Sequence, residues 1–228
     1  MKHTIVIIKK LIRDTLKNKT ILIQFMLFPL MTVIMETAIT LDDMPAYFFT
    51  KLFAVMYIGM APLVAAASII AEEKEKNTLR VLMMADVKPR QYLAGISIYV
   101  WAICMLGALV MSITLPASSR AFFILIMGIG FVISIIVGAC IGIFSKNQMM
   151  ATSLTMPLML IFSFVPMLSM FNESIRKCST AVFTQQLRLL MDNMTFEEFP
   201  LTGIIVLGGS TVFFAGLFFA AYRKKGLD

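Results

Sequence analysis

Residues that commonly carry chemistry are scarce in this chain of 228 residues. It contains one histidine (His3), one tryptophan and three cysteines, and only 14% of its residues are charged. The cysteines (Cys104, Cys140 and Cys178) show no CxxC spacing, which excludes a disulfide framework or a cysteine metal site of the usual pattern. No HExxH motif, Ser/His/Asp arrangement or GxxxxGK[ST] phosphate loop occurs. We therefore expect no catalytic site and no nucleotide, cofactor or metal bound by this chain itself.

Apolar residues dominate instead. They make up 59% of the chain, and the mean hydropathy is +0.88, whereas soluble domains carry roughly 45–50% apolar residues. A helix needs about 20 apolar residues to cross a bilayer, and six segments approach or exceed that length. They lie at about 20–41, 51–71, 91–115, 121–144, 149–170 and 201–222. The sequence predicts an all-α integral membrane protein with a single transmembrane domain over 1–228.

The segment 2–18, before the first span, has the periodicity of an amphipathic helix. Its apolar residues recur every three or four positions, at Ile5, Ile8, Ile12 and Leu16. The basic residues Lys9, Lys10, Arg13 and Lys17 occupy the remaining surface. Such a helix is typical of one that lies at a membrane interface and contacts lipid. An ordinary extension of the first span with no docking role is the alternative.

The distribution of basic residues predicts the topology. Six spans place both termini, residues 72–90 and residues 145–148 on one side, and that side holds 15 of the 20 Lys and Arg residues. The positive-inside rule then places both termini in the cytoplasm of a multi-pass cell-membrane protein. The basic residues flank apolar spans and do not form one polar face, so the net charge of +7 does not indicate nucleic-acid binding.

The most informative segment is 72–90, which follows the second span. It begins with acids, continues with basic residues and carries apolar residues at helical spacing, which predicts a short amphipathic helix continuous with the second span. Such a helix could enter a groove on a soluble partner, and a solvated connector is the alternative. The candidate coupling residues are Glu72, Glu73, Lys74, Lys76, Thr78, Leu79, Arg80, Leu82 and Met83.

This segment resembles the coupling helix of the permease subunits of ABC-2-type transporters, the type V exporter architecture. The family pattern is Glu-(Lys/Arg)-x-x-Gly-Thr-Leu-x-x-Leu, and residues 73–82 read EKEKNTLRVL, with Asn77 at the usual glycine. Tyr92-Leu93-Ala94-Gly95 is similar to the family's Tyr-Leu-x-Gly at the third span. Further likenesses are Phe28-Pro29-Leu30, the segment 138–148 (GACIGIFSKNQ), and Pro166 with Leu168-Ser169.

The resemblance implies a transport subunit that is not itself an enzyme. It implies two six-span permease subunits, as a homodimer or a heterodimer, and two cytoplasmic ABC ATPase subunits that hold ATP and Mg²⁺. It also implies short extracellular helices within 171–200, before the last span. The expected substrate is hydrophobic or amphipathic, with a peptide favoured and drugs or lipids as alternatives, and it would be exported from the cytoplasm or the inner leaflet.

Two features inside the spans complete the analysis. Small residues recur every fourth position in the fourth span, at Gly130, Ser134, Gly138 and Gly142, which predicts close packing against another helix of this chain or of a second subunit. Glu36 is a formal charge inside the first span. It is either a pathway residue, as in a secondary carrier or channel, or a structural group near the outer end of the helix, where a charge costs less.

Overall fold

The computed structural model describes residues 2–17, 19–39, 45–84, 87–193 and 201–225. Within these residues the secondary structure is helical throughout, with no strand. In chain order the helices are α1 (Lys2–Lys17), α2 (Lys19–Ala38), α3 (Phe48–Glu75), α4 (Thr78–Met84), α5 (Pro89–Ser112), α6 (Ala117–Phe144), α7 (Gln148–Leu168), α8 (Glu173–Ser179), α9 (Phe183–Asn193) and α10 (Leu201–Lys225). The predicted all-α membrane fold is confirmed.

Five of the described helices are long and apolar enough to cross a membrane: α3, α5, α6, α7 and α10. The predicted first span corresponds to α2, which has 20 residues, and the continuous apolar stretch among its fully described residues is Phe25–Ala38. Residues 40 and 41, assigned to that span from the sequence, lie outside the described residues. The crossing by α2 therefore remains a prediction. A short turn connects α6 to α7, whereas α4 lies between α3 and α5, and α8 and α9 lie between α7 and α10.

The helix boundaries differ from the predicted spans by a few residues, and the largest difference is in α3. The prediction ended the second span at residue 71, where the apolar run stops, but the helix continues to Glu75. Glutamate and lysine have high helix propensity, so a helix continues past the point at which hydropathy falls. The last turn of α3 therefore carries the first of the candidate coupling residues.

The centre of the bundle is the contact between α3 and α6, the two most buried of the spanning helices. The predicted stripe of small residues lies on this contact. A Cβ atom added at Gly130 would lie 2.8 Å from Ile58, and one added at Gly142 would lie 2.7 Å from Ile70. The Ser134 hydroxyl donates a hydrogen bond of 2.7 Å to the Ile58 carbonyl. The helix against which the stripe packs is thus α3 of the same chain.

We call the end of the bundle that holds α1, α4, the turn at 145–147 and the last turn of α10 the basic end. At the opposite end, two short helices, α8 and α9, precede the last long helix, as expected. The side chains of Thr184, Gln185 and Leu187 on α9 are fully buried. Because α9 packs against α3, α6, α7 and α10, it lies within the bundle and does not extend away from its end.

Candidate functional site

The break between α3 and α4 lies at Lys76 and Asn77, at the basic end. Asn77 has a φ of 55°, in the left-handed region, where asparagine and glycine are the residues best tolerated. The Thr78 hydroxyl donates a hydrogen bond of 3.1 Å to the Glu73 carbonyl across the break. The expectation of a helix continuous with the second span is therefore wrong beyond Glu75. A left-handed residue cannot continue a right-handed helix, so α4 is a separate helix.

Two edges of α4 are apolar, and they have opposite environments. Leu79 is only 2% exposed, and Leu82 and Met83 are half-buried against the core. Val81 and Met84, in contrast, are 64% and 82% exposed. The sequence analysis placed the partner-facing edge at Leu79, Leu82 and Met83 and missed the exposed pair. In a helix of seven residues, periodicity finds both edges but does not show which one faces the protein.

Glu73 is the buried charge of this region. Its side chain is 8% exposed, and Lys10 Nζ of α1 donates to its Oε1 at 2.8 Å. The carboxylate also acts electrostatically on the buried Tyr92 hydroxyl of α5. Within the described residues, Glu73 Oε2 and Tyr92 Oη make no hydrogen bond. Glu73 thus joins α1 to α3 inside the protein, a role that the sequence analysis did not identify.

The other charged residues at the end of α3 point in several directions. Lys76 forms an ion pair of 2.5 Å with Glu72, and this hydrogen bond raises the pKa of the exposed Lys76 amine. Lys74 Nζ donates to the Ile143 carbonyl at 2.9 Å. Glu75 Oε2 accepts from the Gln148 backbone N–H at 2.8 Å. The side chain of Arg80, another of the candidate coupling residues, is not described by the structure.

The contacts of Lys74 and Glu75 join the end of α3 to the turn between α6 and α7. In that turn, Asn147 accepts a hydrogen bond of 2.9 Å from the Met150 N–H and so caps α7. Met149, in the first turn of α7, is 79% exposed. Val81, Met84 and Met149 are the most exposed of the apolar residues described in α4 and around the turn between α6 and α7, and we call this set the coupling surface.

Glu36 lies at the opposite end and contacts the start of α3. Its Oε2 accepts hydrogen bonds from the Thr50 backbone N–H at 2.8 Å and from the Thr50 hydroxyl at 3.1 Å. The Thr50 hydroxyl also lies 2.8 Å from that of Thr114, two residues after the end of α5. The residue before α3, Tyr47, makes no side-chain cap. Glu36 therefore caps α3 from a neighbouring helix and places a negative charge at the positive end of the helix dipole.

A polar network holds α9 at the same end. Arg188 donates to Asp192 at 2.9 Å and to Gln185 at 3.2 Å, and Gln185 also accepts from Ser169 of α7 at 2.9 Å. Lys51 of α3 lies 3.7 Å from Asp192. Burial lowers the pKa of Arg188, and the neighbouring Asp192 carboxylate opposes that shift. The network ties α9 to α3 and α7, and it extends from the buried Gln185 to the exposed Asp192.

Beside α9 is a cleft of about 400 Å³ between α7, α9 and α10. Its lining is apolar except for one serine and comprises Phe162, Ala181, Val182, Phe183, Val206, Gly209, Ser210, Phe213 and Phe214. Four aromatic rings therefore border the cleft. Among the described residues, no group of three or more His, Cys, Asp or Glu side chains is arranged to hold a metal ion.

Comparison with known protein families gives one result that covers almost the whole chain. Residues 2–220 match the family described as ABC-2 family transporter protein. No curated protein matches the chain in sequence. The family match extends from α1 through most of α10, so it includes the coupling surface, the α3–α6 contact and α9. The chain belongs to the ABC-2 family and is a multi-pass membrane subunit of a transporter.

Proposed function

We propose that this chain is the permease subunit of an ATP-driven exporter and that a separate cytoplasmic ATPase subunit docks on the coupling surface. The observation that carries the proposal is the pair of exposed apolar side chains, Val81 and Met84, on a short helix whose other edge is fixed against the core by Leu79. An exposed apolar patch at the end of a membrane bundle is typical of a protein–protein contact.

The connection from the coupling surface to the spanning helices supports the proposal. Helix α3 is continuous from Phe48 to Glu75, and it packs extensively against both α6 and α7. Glu75 and Lys74 bond to the turn between these two helices. A displacement of α4 would therefore act on three spanning helices together, which is what coupling of ATP hydrolysis to transport requires.

The proposed assembly contains two permease subunits and two ATPase subunits, with ATP and Mg²⁺ held by the ATPase and both termini of the permease in the cytoplasm. The positive-inside bias at the basic end supports this orientation. Helices α7 and α10 are the least buried of the long spans, which leaves surface for a second permease subunit, identical or related. We propose a location in the cell membrane.

We further propose that the substrate is hydrophobic or amphipathic, with a peptide favoured over drugs and lipids. The aromatic cleft beside α9 supports an apolar substrate because its lining offers few polar partners. A carrier or channel that uses Glu36 is the candidate of another class. Against it stand the two hydrogen bonds that the Glu36 carboxylate accepts from Thr50, which occupy one of its oxygens in a structural contact.

Co-purification with the ATP-binding subunit encoded by the neighbouring gene tests the docking site. Val81→Glu and Met84→Glu replace exposed side chains, so we expect them to release the ATPase without lowering the thermal stability of the permease. Phe171→Glu is the matched control, because Phe171 is equally exposed, at 71%, but lies at the opposite end. Leu79→Asp is unsuitable alone, since burying a charge there would unfold α4.

Release by the two α4 variants and retention by Phe171→Glu would support the proposal. If the ATPase does not bind the wild-type permease, or if it binds all three variants equally well, the docking site is wrong. The substrate class is tested separately by the stimulation of ATP hydrolysis in the purified complex by a hydrophobic peptide, a drug-like amphiphile or a phospholipid. Stimulation by the peptide alone is the expected outcome.

A further inference from the structure

Helix α1 packs against the spanning helices with only one of its faces. Ile7, Leu11 and Thr15 are buried, mainly against α5. Gly95 of α5 permits this approach, since a Cβ atom there would lie 3.0 Å from the Ile7 side chain. The Thr15 hydroxyl and the Tyr99 hydroxyl form a hydrogen bond. These contacts fix the rotation of α1 about its axis and therefore decide which residues point away from the protein.

The residues next to this face are apolar and exposed. Ile5 and Ile12 are 64% and 47% exposed, although the sequence periodicity made them the obvious candidates for burial. At 3.6 residues per turn, Lys9 and Arg13 follow them around the helix, farther from the protein-facing residues. Both basic side chains are exposed. Around its circumference, α1 thus presents a face toward the protein, an isoleucine edge and then a basic edge.

We propose that the isoleucine and basic edges of α1 bind anionic lipid: Ile5 and Ile12 enter the acyl region while Lys9 and Arg13 hold the headgroup phosphates. Ile5 and Ile12 are exposed on the helix that leads, after one residue, into α2, the predicted first span, so α1 lies beside the predicted point of entry into the bilayer. A protein partner has no comparable reason to meet isoleucine and lysine edges side by side, whereas the headgroup boundary provides both environments.

The charge on α1 favours anionic over zwitterionic lipid. Lys10 is paired with the buried Glu73, and the exposed Asp14 is the acidic residue of the helix. Lys9 and Arg13 therefore remain as basic groups of the exposed edge. A basic residue at a membrane surface attracts anionic lipid with a free energy that corresponds to about a fivefold preference for each charge.

The test uses the full-length protein in vesicles and does not depend on an ATPase partner. A bimane label is placed at Ile12→Cys, or at Val6→Cys on the side away from the isoleucine edge. The background carries Cys178→Ser and Cys140→Ala and keeps the buried Cys104. The vesicles contain phosphatidylcholine and phosphatidylglycerol, with a trace of one of these two lipids bearing an acyl-chain nitroxide. Quenching of the label then reports which lipid contacts α1.

We expect the phosphatidylglycerol quencher to act severalfold more strongly than the phosphatidylcholine quencher at residue 12, and less quenching by either at residue 6. Lys9→Gln with Arg13→Gln should remove most of the preference. The matched control, Lys146→Gln with Lys224→Gln, removes two exposed charges at the same end but away from α1, and the preference should remain. Added salt should weaken the preference in the unmodified helix, a test that needs no charge substitution.

Equal quenching by the two lipids at residue 12 would refute the proposal, as would a control pair that abolishes the preference as fully as Lys9→Gln with Arg13→Gln. Absence of quenching by either lipid at residue 12 would also refute it, because it would mean that another protein surface covers the isoleucine edge. None of these outcomes bears on the docking of an ATPase at Val81 and Met84, so the two proposals fail independently.

Discussion

The contact between α3 and α6 makes the sharpest prediction, because it is sensitive to a single methyl group. A Cβ atom at Gly138 would overlap the Leu63 carbonyl oxygen and lie 3.0 Å from the Ala66 Cβ. The obstacle at Leu63 is backbone, which cannot rotate away as a side chain can. Gly138→Ala must therefore push the two helices apart or shift one of them along the other, at the most buried contact of the bundle.

The magnitude follows from the cost of overpacking a close contact, about 1–3 kcal/mol. For a protein of this length, each kcal/mol lowers Tm by about 2–4 °C, so Gly138→Ala should lower Tm by about 2–12 °C. The same substitution at Gly208 of α10 meets no atom within 4 Å. It should leave Tm unchanged or raise it slightly, because alanine has the higher helix propensity.

Thermal unfolding of the two variants and the wild type in one detergent, followed by the loss of the monodisperse peak in size-exclusion chromatography, measures the difference. The comparison is internal, since both variants carry the same added methyl group in a long apolar helix. If Gly138→Ala and Gly208→Ala have the same Tm, the close approach of α3 and α6 is wrong, and the glycine stripe must serve another contact.

Three further predictions concern the polar contacts, each measured as Tm in the same assay. Glu36→Ala should lower the free energy of unfolding by about 1 kcal/mol because it removes the cap of α3. Glu36→Gln should lower it clearly less, because an acceptor oxygen remains. Equal losses would contradict the capping role. Lys10→Ala should destabilise the protein more than Glu73→Gln does. Lys10→Ala leaves a buried carboxylate without its cation, whereas Glu73→Gln leaves a half-exposed lysine that water can solvate. The reverse order would refute the assigned role of Glu73. Arg188→Lys should lower Tm although the charge is kept. The reason is that lysine cannot donate in both of the directions in which the guanidinium donates to Asp192 and Gln185. An unchanged Tm would contradict the role of this guanidinium in holding α9.

Much of the architecture followed from composition and periodicity. Long apolar runs between basic turns have few alternatives to spanning helices, because a backbone in lipid must satisfy its own hydrogen bonds. Periodicity also predicted the helix α1, and the family resemblance implied the short helices before α10. The family was recognisable from the order of several degenerate motifs, and the match over residues 2–220 agrees with it.

The resemblance also identified a position whose physical meaning came from the backbone. Asn77 stands where the family pattern has glycine, and it has a positive φ. The glycine pattern and the asparagine therefore have one cause, a left-handed residue that separates α4 from α3. The sequence analysis treated the segment as one helix with the second span, because periodicity records which residues are apolar and does not record the backbone angles of a single residue.

Only the tertiary structure decided which side of each amphipathic helix faces the protein. In α1 the sequence analysis chose Ile5, Ile8, Ile12 and Leu16 as the apolar positions, whereas the packing against α5 buries Ile7 and Leu11 and leaves Ile5 and Ile12 exposed. In α4 it selected Leu79 for burial and left Met84 exposed. In a membrane protein the surface that faces lipid is as apolar as the core, so hydropathy does not separate the two.

Charged residues show the same division between what the sequence determines and what the fold decides. The sequence determined that Glu36 and Glu73 lie at or near the ends of spans, where a carboxylate costs less free energy than at the centre of the membrane. Their roles depend on partners 14 and 63 residues away in the chain, Thr50 and Lys10. No local pattern encodes contacts between residues so distant in sequence, because they form only when separate helices pack side by side.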